Sequence, residues 1–291
     1  MTARNPALPE ASLDDCALAV ALAVGAGDVL RSLRSDVDAA GGAFVVRELR
    51  DAGDAASQDW LAAALAHARP GDAVLSEEAK DDHARLGADR VWIIDPLDGT
   101  REFAERYADG PSAGEWRDDF AVHVALWERG RGLTAGAVGL PARGKVLSTI
   151  AAAGGGPDGV EQGRAVLEGR RPIRIAASRS RPPQFVTELA ARGDVELVPM
   201  GSAGVKVVSV VDGTVDAYVH GGGQFEWDSA APVAVALSAG LVCTRLDGSP
   251  LEYNREDPWL PDLFVCHPDL APHLRAALTL VGVDIKEGAQ S

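Results

Sequence analysis

The feature that most constrains this chain is an apolar run that ends in two aspartates. Residues 91–94, Val-Trp-Ile-Ile, are apolar and mostly β-branched, a pattern that predicts a buried strand. We expect the strand to stop at Pro96, because proline has no backbone N–H to offer a neighbouring strand. Asp95 and Asp98 lie three residues apart at the exit of this strand. The strand would therefore deliver two carboxylates to the same edge of a sheet.

These two carboxylates indicate a cation site. Asp95 and Asp98 would repel each other unless a cation lay between them, and carboxylate oxygens are ligands that suit magnesium. Gly99 lets backbone amides approach closely, and Thr100 adds a hydroxyl at the same place. The residues therefore predict a metal held against a phosphate. A solvent-exposed Asp-Gly turn is the alternative that this motif alone leaves open.

Two further motifs extend the pattern. A Glu-Glu pair stands upstream at 77–78, and Trp-Asp-Ser-Ala-Ala-Pro stands downstream at 227–232. Together with Asp-Pro-Leu-Asp-Gly-Thr at 95–100, they resemble the magnesium-dependent, lithium-sensitive phosphatase superfamily of inositol monophosphatases and bisphosphate nucleotidases. Arg-Glu-Phe at 101–103 is more similar to the CysQ-type 3′(2′),5′-bisphosphate nucleotidases than to the inositol phosphatases, which tend to carry Thr-Asn-Phe there. The resemblance covers about residues 13–270.

The resemblance implies a layered αβαβα sandwich of the inositol monophosphatase type. We expect an N-terminal α+β unit over 1–171, with a mostly antiparallel sheet and most of the metal ligands. A smaller α/β unit over 172–291 would carry the substrate-binding residues and the last metal ligand. The residues support a change near this point, because a glycine-rich segment at 154–159, predicted to be a hairpin tip or linker, precedes the strand-like run from Ile173.

Local patterns predict several elements of the N-terminal unit. Apolar residues recur at helical spacing over 13–33, and the run 44–51 is strand-like. A helix is then expected to begin at Asp54, which stands where an N-cap belongs, and to end near Ala68. An antiparallel meander is predicted from three apolar runs, 121–127, 134–139 and 145–149.

The resemblance also implies a set of metal ligands. Two or three magnesium ions would be held by the side chains of Glu77, Asp95, Asp98 and Asp228 and by the main-chain carbonyl of Leu97. Glu78 is a weaker candidate than its neighbour. Judged from its residues alone, Asp228 would simply cap a helix over 229–239. The resemblance adds a metal role to that capping role.

The catalytic residues implied by the resemblance are Asp54, Asp98 and Thr100. Thr100 together with Asp54 would orient the attacking water, although helix capping alone also accounts for an aspartate at position 54. The backbone amides of Gly99 and Thr100 would hold the phosphate oxygens.

Basic residues in the second unit are the candidates for substrate recognition. Arg179, Arg181 and Lys206 are predicted to meet the 5′-phosphate of adenosine 3′,5′-bisphosphate, and Arg101 would add to the same pocket. Ser202 is expected to cap a helix whose free amides, with Lys206 one turn further on, form an anion-binding site. A capped helix with a solvated lysine is the alternative.

The activity implied by the resemblance is that of a magnesium-dependent phosphomonoesterase. It would remove the 3′-phosphate of adenosine 3′,5′-bisphosphate to give AMP and phosphate in sulfate assimilation, with the 5′-phosphosulfate analogue as a further candidate substrate. Inositol monophosphate and fructose 1,6-bisphosphate are the alternative substrates within the superfamily. A non-catalytic nucleotide sensor is a more remote alternative.

Composition narrows the partners and the location. The chain has 28 Lys and Arg against 43 Asp and Glu, a net charge of −15, so we expect a small phosphate ester as partner and no nucleic acid polymer. Three cysteines without Cys-x-x-Cys spacing favour a reducing compartment and hence the cytoplasm. The apolar run 17–27 is too short to span a bilayer, so no membrane association is expected. Relatives often form homodimers, and the sequence leaves open whether this chain does.

Separate predictions concern three features that lie between the motifs. His123 lies within an apolar run and is predicted to be a packed core histidine and not a ligand. The polar residues 79–89 are expected to form a mobile loop that covers the site. The segment 104–119 is read as an insertion whose Trp116 and Arg117 could close over a substrate.

Overall fold

Two long helices open the fold. The computed structural model describes residues 5–150 and 164–285, so the glycine-rich segment 154–159 lies outside the described residues. Helix α1 spans Asp15–Ala39, and the side chain of Asp14 caps it by accepting a hydrogen bond from the amide of Ala17 at 2.8 Å. Helix α2 spans Val46–Ala68.

The start of α2 corrects two sequence-based expectations. The predicted strand over 44–51 is wrong, because the helix begins at Val46, and Asp54 lies inside the helix instead of capping it. The β-branched Val45 and Val46 suggested a strand, yet both are exposed. From Leu49 onward the buried residues recur at helical spacing, and this buried face decides the structure.

The first sheet has five strands in the order β1-β2-β3-β4-β5. Strands β1 and β2 are parallel, and the remaining pairs are antiparallel, which confirms the mostly antiparallel sheet and its meander. The strands are β1 Ala73–Ser76, β2 Arg90–Asp98, β3 Ala121–Glu128, β4 Gly132–Leu140 and β5 Lys145–Ser148.

The prediction that β2 stops at Pro96 is wrong, because the strand continues to Asp98. The pairing with β3 shifts register between Asp95 and Asp98, so the missing N–H of Pro96 falls at an irregularity where the regular ladder is interrupted. Gly99 then adopts a left-handed conformation with φ of 89°, which turns the chain into the short helix α3, Thr100–Phe103.

The second sheet has the order β7-β6-β8-β10-β9. Its strands β7, β6 and β8 are parallel, whereas β10 is antiparallel to β8 and β9. The strands are β6 Ile173–Ser178, β7 Val195–Met200, β8 Ala217–Phe225, β9 Val242–Thr244 and β10 Trp259–Cys266, and the helices are α4 Gln184–Ala191, α5 Ala203–Val211, α6 Glu226–Ser238 and α7 Ala271–Leu280.

Within the described residues, three apolar cores join these elements into five layers. The first core lies between α1, α2 and one face of the first sheet. The second contains α5 and α6 between the two sheets. The third lies between the second sheet and the helices α4 and α7. This arrangement confirms the layered αβαβα sandwich, while the division of the chain at residue 171 stays a prediction.

Helix α1 is long and apolar enough to cross a membrane by length and composition. In this structure it is a core helix, with Leu18, Leu22 and Leu30 fully buried in the first apolar core. Gly25 makes this packing close, because a Cβ there would lie 2.0 Å from the ring of Trp60 in α2. The apolar character of α1 is thus accounted for by the interior of the fold.

The two predicted loops are fastened to the rest of the protein. Segment 79–89 contains a 3₁₀ helix, His83–Gly87, that is anchored by the buried side chain of Arg85, so the expectation of a mobile loop is wrong for this part. In segment 104–119, the indole of Trp116 donates to Asp38 of α1 at 3.0 Å. Closure of Trp116 and Arg117 over a substrate stays a prediction.

Candidate active site

Three chain segments meet at one end of the sheets. Strands β1 and β2 are parallel, with Ser76 paired to Ile94, so Glu77, directly after β1, lies beside Asp95 of β2. Asp98 ends β2 after the register shift. Asp228 lies in the first turn of α6, which directly follows β8. The fold thus brings together carboxylates that are far apart in the sequence.

Three of these carboxylates form a tight cluster, which we call the acid triad: Asp95, Asp98 and Asp228. One oxygen from each lies within 4.8 Å of one oxygen from each of the others. Asp95 and Asp98 are buried, and Asp228 is partly buried. Three negative charges at this separation in a poorly solvated place repel one another strongly.

Asp98 is the most heavily hydrogen-bonded member of the acid triad. Its Oδ2 accepts hydrogen bonds from the hydroxyl of Ser202 and from the amide of Gly204, the latter at 2.7 Å. Nε2 of His123 lies 3.1 Å from the same oxygen. Burial alone would raise the pKa of Asp98, but these neighbours, His123 above all, hold it well below its ordinary value. Asp98 is therefore the member that stays ionised.

The other acidic residues are crowded by negative charge. Burial, followed by the charge of Asp98, raises the pKa of Asp228 to about 6. Burial and the charge of Glu77 raise the pKa of Asp95 above its ordinary value. Partial burial together with Asp228 and Asp98 raises the pKa of Glu77 to about 7. Without a cation, the site relieves this repulsion by retaining protons.

The donor set fits a hard divalent cation. Its members are carboxylate oxygens from separate segments, and the main-chain carbonyl of Leu97 lies between Asp95 and Asp98 on the same strand end. A bound cation would neutralise the charges that now raise the pKa of Glu77, Asp95 and Asp228. The acid triad could therefore hold a metal ion.

Asp54 reaches the site although it does not cap a helix. The hydroxyl oxygen of Thr100 lies 3.2 Å from Oδ1 of Asp54 and 3.2 Å from the carbonyl oxygen of Leu97. Burial, followed by the nearby charge of Glu78, raises the pKa of Asp54 to about 7. A carboxyl group that titrates near neutral pH beside a hydroxyl is suited to orient a water molecule.

Comparison with known proteins places this geometry in a family. The sequence pattern of the inositol monophosphatase family matches residues 12–278. The chain belongs to this family. It is 48% identical over 275 residues to the 3′-phosphoadenosine 5′-phosphate phosphatase of Mycobacterium leprae, a match that covers 91% of this chain and 93% of that protein. It is 28% identical to the 3′(2′),5′-bisphosphate nucleotidase CysQ of Escherichia coli over 72% of this chain and 81% of that one.

Solved structures of the inositol monophosphatase family share the fold. CysQ from Bacteroides thetaiotaomicron superposes with a TM-score of 0.67 at 27% identity, covering 87% of this chain and 97% of that one. SuhB of Mycobacterium tuberculosis superposes with a TM-score of 0.63 at 23% identity, covering 92% and 96%. The five-layer sandwich of this chain is therefore the fold of these family structures.

Two of the predicted substrate-binding arginines lie together beside the site. The guanidinium of Arg179 contacts the carboxylates of Glu102 at 2.5 Å and Glu105 at 2.9 Å. Arg101 donates to Glu105 at 2.7 Å, so the two arginines share one carboxylate. Arg181 is exposed, and only its backbone amide is placed by a hydrogen bond to Ser178. Sequence reasoning missed Glu102 and Glu105, although both follow the Asp-Gly-Thr motif closely.

The predicted anion site at the start of α5 is already filled by the protein. Ser202 caps α5 by accepting from the amide of Val205, as expected. Its hydroxyl, with the amide of Gly204, binds the carboxylate of Asp98. Lys206 is buried, and its ammonium donates to the carbonyl of Gly201 at 2.7 Å. The solvated lysine of the alternative is thus wrong, and direct binding of substrate by Ser202 and Lys206 stays a prediction.

His123, which sequence reasoning treated only as core packing, contacts the acid triad. It is fully buried, as predicted, but Nδ1 lies 3.0 Å from the carbonyl of Trp227 while Nε2 faces Asp98. Burial alone would lower the pKa of His123, but Asp98 outweighs it and raises the pKa. The sequence carried no signal for this role, because the pairing of His123 with Asp95 across β2 and β3 is a property of the fold. Gly204 permits the contact, because a Cβ there would lie 2.0 Å from Nε2.

Proposed function

We propose that this chain is a metal-dependent phosphoric monoester hydrolase that converts adenosine 3′,5′-bisphosphate to AMP and phosphate. The observation that carries the proposal is the 48% identity, over nearly the whole chain, to a protein named for the phosphatase activity on this nucleotide. The site supports it, because an acid triad beside a Thr100 and Asp54 pair has the parts that phosphate ester hydrolysis needs. The name of this relative supports the nucleotide as substrate, in preference to inositol monophosphate and fructose 1,6-bisphosphate.

In this proposal magnesium is the resident metal, and two or three ions are expected. The acid triad, Glu77 and the carbonyl of Leu97 would hold them. When bound, magnesium supplies Lewis acid chemistry that stabilises the negative charge developing on the phosphoryl group and on the leaving ribose oxygen. His123, Ser202 and Gly204 keep Asp98 ionised and fixed for this task.

Thr100 and Asp54 are proposed to place the attacking water. An ionised Asp54 accepts a hydrogen bond from the hydroxyl of Thr100, and this leaves the lone pairs of that hydroxyl free to accept from water. With a pKa of about 7, Asp54 is about half ionised at neutral pH and can also take up a proton. Gly99 and Thr100 follow the strand end directly, and their amides are proposed to bind phosphate oxygens.

Replacing Thr100 with valine is expected to lower kcat by about 10²–10³-fold, because the variant keeps the shape of the side chain but loses the hydroxyl that orients the water. KM and magnesium affinity should stay unchanged, since neither depends on this hydroxyl. Thr149→Val is the matched control, because the Thr149 hydroxyl contacts Cys16 of α1 and not the acid triad. Single-turnover phosphate release checks the prediction, and a fully active Thr100→Val variant would contradict it.

Arg179 is proposed to bind the 5′-phosphate. Its guanidinium would release the carboxylates of Glu102 and Glu105 and donate to the phosphate oxygens instead. Arg179→Ala should then reduce the preference for adenosine 3′,5′-bisphosphate over adenosine 3′-monophosphate by about tenfold or more. The two substrates differ only in the 5′-phosphate, so the ratio of their kcat/KM values isolates this contact. Arg192→Ala, an exposed arginine just past α4, is the control. An unchanged ratio of the kcat/KM values would contradict the proposal that Arg179 binds the 5′-phosphate.

The proposed function is tested by phosphate release from a substrate panel. The panel contains adenosine 3′,5′-bisphosphate, inositol 1-phosphate and fructose 1,6-bisphosphate, each with magnesium and with or without lithium. We expect strong preference for the nucleotide and inhibition by lithium. Better turnover of the sugar phosphates would retain the metal site but overturn the proposed substrate. Any magnesium-dependent release would eliminate the alternative of a silent nucleotide sensor.

The setting of the enzyme is also a proposal. We infer that it works in the cytoplasm, where its three cysteines stay free and where sulfate assimilation would produce its substrate. A homodimer and a division into units over 1–171 and 172–291 are further expectations. Size-exclusion chromatography with light scattering tests the dimer, and limited proteolysis near residue 171 tests the division.

A further inference from the structure

Arg85 is a buried charge outside the acid triad. Its side chain is 1% exposed, although it belongs to the segment that follows Glu77 and Glu78. It donates to both oxygens of Asp81 at 2.7 and 2.9 Å and to the carbonyl of Arg255 at 2.8 Å. A buried guanidinium is tolerated only when such partners satisfy it. Arg85 therefore fixes its own segment to a distant part of the chain.

Asn254 is the principal distant partner of Arg85. Its Oδ1 accepts from Nη1 of Arg85 at 2.7 Å, and its Nδ2 donates back to the carbonyl of Arg85 at 3.3 Å. Among the described residues, Asn254 alone is a non-glycine residue with positive φ, at 60°. Asparagine tolerates this left-handed conformation better than most residues. The loop that carries Asn254 is thus held in one shape.

Glu226 completes the connection. Its Oε2 accepts from the amide of Asn254 at 2.6 Å, and its Oε1 accepts from the amide of Arg255 at 2.8 Å. Glu226 is 1% exposed and is the first residue of α6, two positions before Asp228. Its own amide donates to the carbonyl of Pro258 at 2.8 Å. The start of α6 is therefore fixed to the loop that also holds Arg85.

We propose that Arg85, Asn254 and Glu226 form a clasp that positions the metal-binding carboxylates of two separate segments relative to each other. One segment is the exit of β1 with Glu77, and the other is the first turn of α6 with Asp228. The clasp residues are positioning residues, since none of them is a proposed metal ligand and together they connect the segment that follows Glu77 to the start of α6. The proposal rests on the proposed function in one respect: it takes magnesium as the metal at this site.

The geometry gives the clasp a specific consequence for metal binding. Glu77 and Asp95 are already set relative to each other by the parallel pairing of β1 and β2. Asp228 lies in the first turn of α6, between the two sheets, and the clasp ties the beginning of this helix to the segment that follows Glu77. Magnesium requires nearly ideal octahedral geometry, so a small displacement of one carboxylate weakens binding. Groups that orient metal ligands typically contribute about 10–100-fold to metal affinity.

The test is the substitution Asn254→Gly in the full chain. Glycine accepts φ of 60° without strain, so the loop keeps its shape while both hydrogen bonds to Arg85 are lost. We expect the magnesium dissociation constant, measured by isothermal titration calorimetry without substrate, to rise about tenfold or more. At saturating magnesium, KM for adenosine 3′,5′-bisphosphate should match that of the wild type. A folded variant with unchanged magnesium affinity would overturn the proposal.

Glu226→Gln is the second variant, in case the first does not fold. The glutamine amide nitrogen cannot accept from a backbone N–H, so one of the two loop contacts is lost. Asp216→Asn is the matched control, because Asp216 is an equally buried carboxylate that accepts from the amide of Arg174 and pairs with Arg171, at the opposite end of β8. Both variants should lose thermal stability, but only Glu226→Gln should weaken magnesium binding.

The readouts separate the clasp from the proposed function. Equal weakening of magnesium binding by Asp216→Asn would show that general destabilisation is responsible, and the clasp would be rejected. Wild-type protein that binds magnesium but releases no phosphate from the nucleotide would remove the proposed substrate and leave the clasp standing. Wild-type hydrolysis with unaffected magnesium binding in both clasp variants would reject the clasp alone.

Discussion

Replacing Asp98 with asparagine is expected to lower kcat/KM for phosphate release by about 10³-fold or more while the protein stays folded. Asp98 is the member of the acid triad whose pKa is held below its ordinary value, so it supplies full negative charge to a bound cation. The amide of asparagine removes that charge. It can also present N–H groups to Ser202 and Gly204, which are donors themselves.

The control for this prediction is Asp262→Asn. Asp262 is a partly buried carboxylate that accepts from the amide of Leu246 and contacts Arg245, on the β10 side of the second sheet. Its loss changes a similar local hydrogen-bond pattern without touching the acid triad. Near-normal turnover by Asp262→Asn beside an inactive, folded Asp98→Asn would support the role of Asp98. Substantial turnover by Asp98→Asn would show that the metal is held elsewhere.

The strand that leads into the site is strongly encoded in local sequence. Residues 91–94 are apolar without interruption because β2 is covered on both faces, by the α1 and α2 layer and by the α5 and α6 layer. The same apolar run also predicts the position of the two aspartates, because polar residues directly after a buried strand must lie at the edge of the sheet. Their convergence with Asp228 could not be read locally and depended on the family resemblance.

The wrong predictions around the start of α2 share one physical cause. The strand predicted over 44–51 followed the β-branched Val45 and Val46, whereas packing of the face that begins at Leu49 extends α2 to Val46. Local propensity is a weak signal that tertiary packing overrides. Asp54 therefore lies in the middle of α2 and not at the predicted helix cap. It still reaches Thr100, because α2 packs directly against the end of β2.

The interior of the site was the least predictable part. Ser202 at the start of α5 was recognised as a helix cap, but the anion that occupies this N-terminus is the protein's own Asp98. Contacts between residues so distant in sequence depend on how the two sheets stack. His123 was judged from its apolar neighbours, which correctly predicted burial. Its charge partner Asp98 became visible only in three dimensions.

The metal-free protein is expected to become less stable as the pH rises from about 5 to 8. In the folded protein the pKa of Glu77 is about 7 and that of Asp228 is about 6. Both lie above the pKa of an ordinary carboxyl group, which is the value expected in the unfolded chain. The folded protein therefore holds protons that the unfolded chain releases. This stabilisation is complete below the unfolded pKa values and is lost as the pH rises through the folded ones. Thermal unfolding in a chelator at several pH values measures it.

Magnesium should reverse this trend, because it binds the deprotonated carboxylates and its affinity rises with pH. At a concentration of about 100 times its dissociation constant, magnesium adds about 2.7 kcal/mol of stability. For a chain of this size that corresponds to a rise in Tm of about 5 °C at pH 8. The rise should be smaller at pH 5.5 and should nearly vanish in Asp98→Asn. An equal rise at both pH values would contradict the picture, because cation binding would then not displace protons from the acid triad or Glu77.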